Sequence, residues 1–208
     1  MEARRPLKTR SRAWAMALAN WLAARSVTPN QISLLSIVFA AIGSYSLIAA
    51  ESSVWLVLTA LCVQLRLLAN MLDGLVAVEA GKATATGVLY NEVPDRIADT
   101  LFLLALGAFC DLFWLGCLAA LVAIATAYIR LLGGSLGLPQ SFRGPMAKQH
   151  RMFALTLGLL LQAAEWELVA PSSYAALGTL LLITFGSLLT CCVRLQAIAR
   201  ALEKKGSL

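Results

Sequence analysis

The sequence predicts an all-α integral membrane protein, with six transmembrane helices preceded by an N-terminal amphipathic interfacial helix. Three observations carry that reading. Hydrophobic residues make up 60% of the 208 residues, charged residues make up 13%, and mean hydropathy is +0.77. A soluble domain averages roughly 45–50% apolar and about 25% charged. The length also has room for about six spans of roughly 20 residues joined by short connections. Finally, Lys and Arg concentrate in alternate connections, the asymmetry that orients helices in a bilayer.

Residues 1–25 form a basic amphipathic arm carrying Arg4, Arg5, Lys8, Arg10 and Arg12, then Trp14, Trp21 and Leu22. A cleaved signal peptide needs an apolar core and a small-residue cleavage site, and neither is expected here. An interfacial helix on anionic lipids fits better. In the segment SVTPNQIS, Pro29 is placed to open a helix, with Thr28 or Asn30 as capping groups. The spans are expected at about 31–50, 53–78, 86–109, 112–133, 149–169 and 173–197. Together they make one membrane domain over 26–200, followed by a basic tail at 201–208.

Orientation follows from the connections. The arm, Lys82, Arg143, Lys148, Arg151, Arg200, Lys204 and Lys205 fall on one side, whereas Glu51, Asp111, Glu165 and Glu167 mark the other. Both termini are therefore expected in the cytoplasm, and a bacterial inner (plasma) membrane is the expected location. The net charge of +6 reads as topology and anionic-lipid contact, and no nucleic-acid motif accompanies it. The five cysteines lie in or near apolar spans without metal or disulfide spacing. A single histidine, His150, argues against a Ser-His-Asp site or a multi-histidine metal site. The chemistry is left to carboxylates.

Those carboxylates cluster between Asn70 and Asp99. Asn70 and Asp73 fall three apart, and Gly87, Asn91, Asp95 and Asp99 fall four apart. Such spacing gives each of two helices one polar face, and Arg66 extends the first face by a turn. Charges inside a membrane are costly, so a functional site is the default. Asp73, Asp95 and Asp99, with Asn70, Asn91 and Glu92, make a hard-oxygen cluster suited to magnesium, manganese or calcium. Gly74, Ala77, Gly81 and Gly87 leave room for a ligand or for close helix packing. Cations stand nearby in sequence: Arg96, Arg130 near the end of the fourth span, and Arg143, Lys148 and Arg151 in SFRGPMAKQHRM. They are candidates to pair with the carboxylates or to hold phosphate oxygens.

From Asp73 the residues run D-G-x2-A-x9-G-x3-N-x3-D, with Asn70 three before. This resembles the CDP-alcohol phosphotransferase signature, D-x2-D-G-x2-A-R-x8-G-x3-D-x3-D. Asp73, Gly74, Ala77, Gly87 and Asp95 match, while Asn70, Asn91 and Val78 replace two aspartates and the arginine. The resemblance implies a six-span enzyme, often a homodimer, with its site open to the cytoplasm. Such enzymes transfer a substituted phosphate from a CDP-alcohol such as CDP-diacylglycerol to an acceptor alcohol, releasing CMP, in phospholipid biosynthesis.

Carried over, the resemblance makes Asp73 a ligand to Mg2+ or Mn2+, with Asn70, Asn91, Asp95 and Asp99 as the remaining candidate ligands. Gly74, Ala77 and Gly87 would line the nucleotide pocket, and Asp95 would be the catalytic base. Arg66, Arg130, Arg143, Lys148 and Arg151 are the candidate phosphate or acceptor contacts. Asp99 and Glu92 are candidates to replace the lost charges, and Arg66 the lost arginine. A catalytically reduced ligand-binding or assembly protein on the same scaffold is the alternative, favoured by the two Asn replacements. A small transporter comes third, because its acids should line a path across the bilayer rather than gather at one end.

The alternating charges make topology directly testable. Reporter fusions at Leu208 and within residues 165–172 should report opposite sides of the membrane. Finding both on one side would overturn the span assignment.

Overall fold

A computed structural model describes residues 13–79, 81, 85–169 and 172–206. Arg4, Arg5, Lys8, Arg10, Arg12, Lys82 and Leu208 lie outside the described residues. Seven α-helices make up the described fold: α1 (Ala13–Ala24), α2 (Pro29–Ile48), α3 (Ser53–Glu79), α4 (Gly87–Phe109), α5 (Phe113–Ser135), α6 (Lys148–Leu168) and α7 (Tyr174–Gly206). The expected all-helical class is present. Of the six expected spans, α2, α3, α5 and α7 are long and apolar enough to cross a membrane. Helices α4 and α6 have comparable length, but Glu92, Asp95, Arg96 and Asp99 on α4, and Lys148, Arg151, Glu165 and Glu167 on α6, lower their hydropathy.

Local chemistry sets the helix ends. Thr28 caps α2: its hydroxyl accepts from the Gln31 amide while the Gln31 side chain accepts from the Thr28 amide, and Pro29 takes the first turn. Helix α1 is apolar almost throughout, with Asn20 its one polar side chain. Ala15 and Ala19, one turn apart, pack it against Leu72, Leu75 and Val76 of α3. The one charged side chain of the arm within the described residues is Arg25, just past α1, whose guanidinium lies 4.5 Å from the Trp21 ring centre. In α4, Pro94 lacks the N–H that would bond the Tyr90 carbonyl. The irregularity falls immediately before Asp95.

Helices α2 to α7 close a ring. Going round it, α2 packs on α3, α3 on α6, α6 on α7, α7 on α5, α5 on α4, and α4 back on α2. Leu47, Leu56, Phe102, Leu106, Leu155, Leu159, Leu180 and Ile183 fill its interior. Glycines let the helices approach closely. A Cβ placed on Gly107 of α4 would lie 2.6 Å from the Gly116 Cα of α5, and one on Gly43 of α2 would lie 2.7 Å from the Cys62 Cβ of α3. Two of the largest fully buried side chains in this interior are arginines, Arg66 and Arg151.

The α4–α5 contact yields a stability prediction. Gly107→Ala forces a methyl onto backbone atoms and should cost about 1–3 kcal/mol through overpacking. Gly178→Ala in α7 meets nothing within 4 Å and should be neutral or slightly stabilising. Thermal unfolding of the two variants in detergent checks the contrast.

Candidate functional site

Helix periodicity builds the site from three elements. On α3, Arg66, Asn70 and Asp73 follow one another at spacings of four and three, and on α4, Asp95 and Asp99 are one turn apart. Helix α6 opens with Lys148 and presents Arg151 a turn later. The ring brings α3 against α6 and, through α2, close to α4, so these faces converge.

Arg66 is the centre. Its side chain has no exposed surface, and its Nη2 donates to Asp99 Oδ1 at 2.6 Å, to Asp95 Oδ1 at 3.1 Å and to the Asp95 carbonyl at 3.2 Å. Asn70 Nδ2 donates to the same Asp95 Oδ1 at 2.6 Å. The other Asp95 oxygen, Oδ2, receives Lys148 Nζ and has Arg96 Nη2 at 3.5 Å. Asp99 Oδ2 accepts from Arg151 Nη2 at 2.8 Å, and Arg151 is anchored further by the Met146 carbonyl at 3.1 Å and Thr126 Oγ1 at 3.3 Å. Asp73 stands apart from this knot. Its Oδ2 accepts from Ser33 Oγ at 2.6 Å, and its Oδ1 is buried without a partner among the described residues.

A rim surrounds the knot. Arg130 of α5 donates to Glu92 at 2.6 Å and to Gln140 Oε1 at 2.6 Å, and its guanidinium lies 5.6 Å from the Phe142 ring centre. Arg96 lies 3.6 Å from Glu92. The arginine thus ties α4, α5 and the segment after α5 together.

The structure therefore joins Arg66, Asn70, Asp95, Asp99, Lys148 and Arg151, and leaves other candidates elsewhere. Asn91 is exposed, as is Arg143, whose backbone carbonyl accepts from Arg194 Nε at 2.9 Å. Gly74 is buried, while Ala77 and Gly87 are half-buried on the same helices as the motif acids. Arg194 was not anticipated from sequence. It is buried, and its Nη1 donates to the Thr126 carbonyl at 2.5 Å, on the residue whose hydroxyl meets Arg151. An arginine inside the last apolar stretch was the available signal. Ser33, the partner of Asp73, was equally unanticipated, and a serine one turn into α2 carries no distinguishing pattern.

The donor set does not fit a resident divalent cation. Of the six oxygens on Asp73, Asp95 and Asp99, five are already engaged by Ser33, Arg66, Asn70, Lys148, Arg96 or Arg151, which leaves Asp73 Oδ1. Among the described residues no group of three or more His, Cys, Asp or Glu side chains is placed to hold a metal ion. What the arrangement offers is two buried arginines, Arg66 and Arg151, and the more exposed Lys148 around two carboxylates, which suits anionic oxygens.

A family model described as CDP-alcohol phosphatidyltransferase matches residues 26–195. The inner membrane protein YnbA of Escherichia coli K12 is 30% identical over 158 residues, spanning 71% of this chain and 76% of YnbA. An uncharacterised protein of Aquifex aeolicus is 28% identical over 194 residues, 90% of each chain. Among solved structures, Mycobacterium tuberculosis phosphatidylinositol phosphate synthase in complex with manganese and citrate superposes with a TM-score of 0.75 at 21% identity, covering 88% of both chains. The same synthase with CDP-DAG bound gives 0.74 at 21% identity, covering 88% of this chain and 92% of that one. These superpositions establish the fold.

Because Asp99 is held between two buried arginines, its removal leaves Arg151 without a carboxylate and Arg66 with Asp95 alone. Asp99→Ala should cost about 3–5 kcal/mol, as breaking a buried ion pair does. Asp99→Asn, whose amide oxygen still accepts a hydrogen bond, should cost less. Melting temperatures in detergent would order the two variants.

Proposed function

As a member of the CDP-alcohol phosphatidyltransferase family, this chain is one for which we propose a transferase activity: moving a substituted phosphate, phosphatidyl in the leading reading, from a CDP-alcohol to an acceptor hydroxyl with release of CMP. The observation that carries the reading is the convergence of Asp95 with Arg66 and Lys148, from α4, α3 and α6, at one buried locus. A base and phosphate-holding cations are the groups that such a transfer requires.

The proposed membrane arrangement has six crossings. Helices α4 and α6 sit in the ring between helices that qualify as spans. On α4, Glu92, Asp95, Arg96 and Asp99 run from the second turn to just past the middle, and on α6, Lys148 and Arg151 occupy the first turn. That polarity gathers at the end where Lys and Arg mark the cytoplasmic side, so the site would face the cytoplasm.

In the transfer, the acceptor oxygen would attack the phosphorus bearing the alcohol substituent. The bond from that phosphorus to the bridging oxygen breaks, and CMP leaves with the bridging oxygen. The acceptor proton goes to Asp95 Oδ2. That oxygen is held by Lys148, and the Lys148 side chain is 29% exposed against 6% for Asp95, so the lysine is the more movable partner. A donor phosphate drawing Lys148 Nζ onto itself would leave Oδ2 with only Arg96 Nη2, at 3.5 Å, and so open it to the acceptor. Arg66 keeps Oδ1 fixed and aims the carboxylate. Donor binding and base release become one event, which disfavours proton abstraction before the donor arrives.

A binding or assembly role on the same scaffold is the competing reading, favoured by the heavily engaged carboxylates. CMP release by purified protein from CDP-diacylglycerol separates the two. Asp95→Asn should lower that release by on the order of a hundredfold or more at normal protein levels. Near-normal turnover in this variant would remove Asp95 from the role, and a silent parent would favour the binding reading.

A further inference from the structure

We infer that the Arg66 guanidinium stands in place of a divalent cation, so that this site binds the pyrophosphate of a CDP-alcohol directly through protein cations and without metal. The inference rests on the donor class of the proposed function and concerns how that donor is held.

The first support is the imbalance of unsatisfied groups. Among the described residues, the buried donor nitrogens without a partner in the site are Arg66 Nε and Nη1, Arg96 Nε and Arg151 Nε. The buried acceptors without one are Asp73 Oδ1 and Glu92 Oε2, and the latter already has Arg96 Nη1 at 3.6 Å. Buried donors are costly to leave open. Anionic oxygens would satisfy them, whereas a cation would not.

The second support is charge. Asp95 and Asp99 are countered by Arg66, Lys148 and Arg151, all within ion-pair distance. A doubly charged ion beside them would meet these cations, at the low dielectric where like charges repel most, with Asp73 the one acid of the three outside the ion pairs. Two added negative charges from a pyrophosphate fit the same surroundings.

The third support is Asn70. Its amide turns Nδ2, not its oxygen, toward Asp95, the only orientation that avoids setting an oxygen against a carboxylate. An asparagine so placed acts as a donor that steadies Asp95 rather than as a metal ligand. Asn91 is exposed and away from the cluster. The two positions where the family signature has aspartate and this chain has asparagine thus agree with the arginine four residues before the first of them.

The experiment uses the purified full chain in nanodiscs. Manganese binding is followed by electron paramagnetic resonance, and CDP-diacylglycerol binding by the rise in melting temperature, with and without EDTA. We expect no saturable manganese binding at micromolar concentration and an equal CDP-diacylglycerol shift in both conditions. Arg66→Lys keeps the charge but loses the guanidinium donors, and should weaken CDP-diacylglycerol binding at least about tenfold. Saturable micromolar manganese uptake, loss of the ligand shift in EDTA, or unchanged binding by Arg66→Lys would each overturn the inference. If Arg66→Lys fails to fold, the two measurements on the natural protein decide the matter alone. CDP-diacylglycerol binding in EDTA without CMP release would leave this inference standing and sink the transferase reading. CMP release that EDTA abolishes and manganese restores would do the reverse.

Discussion

The structure depends on one guanidinium. Arg66 is wholly buried in α3, and a single nitrogen of it reaches both aspartates of α4. An unpaired charge at that depth would cost several kcal/mol, so α3 and α4 are committed to the register that brings Arg66 to Asp95 and Asp99. Arg151 makes the same commitment for α6 through Asp99. These ion pairs need not add net stability to specify the arrangement, since a buried pair chiefly penalises any packing that breaks it. The acids are held in place by the groups that would act on a substrate.

The apolar ring makes that arrangement affordable. Gly107 against Gly116 brings α4 and α5 to backbone contact, and Gly43 of α2 lets the Cys62 and Phe102 side chains of α3 and α4 press close to its backbone. Close approach leaves little room for water in the interior, and exclusion of water strengthens every charge interaction inside. The site residues lie toward the N-terminal side of α4 and in the first turn of α6, while Leu106, Leu155 and Leu159 further along the two helices belong to the apolar interior. Ser33 and Arg194, on α2 and α7, extend polar support to the edge of the same region. All six helices of the ring therefore touch the site or hold something that does.

Much of this was legible in the sequence, and the reasons differ by residue. Helical class followed from composition, and the three- and four-residue spacings placed Arg66, Asn70, Asp95 and Asp99 on facing stripes because helix geometry leaves no alternative. Lys148 and Arg151 were visible as cations opening an apolar helix. The partners were not visible, because a carboxylate on a stripe is equally ready to take a metal or an arginine, and only the packing of three helices decides between them. Asn91 shares the periodicity of Asp95 yet is exposed, because periodicity gives a direction on a helix but not how far the neighbouring helix extends along it. Crossing number was legible only in part: α4 and α6 carry so many charges for the site that they lose the hydropathy of a span.

The substitutions in the signature are easier to understand as a set than singly. Replacing two aspartates by asparagine in a site built around a metal leaves a weakened ligand shell, and such a shell alone would point to decay. Here the loss is matched by a buried arginine bonded to the two acids of the α4 face, and by an asparagine turned to donate to one of them. Decay has no reason to retain a fully buried arginine, because a stranded guanidinium is costlier than an apolar residue of similar volume. A site that has exchanged metal charge for protein charge does have such a reason. On the metal-free inference, the pairing of Arg66 with Asn70, one turn apart on α3, is what would distinguish an adapted phosphate site from an abandoned metal site.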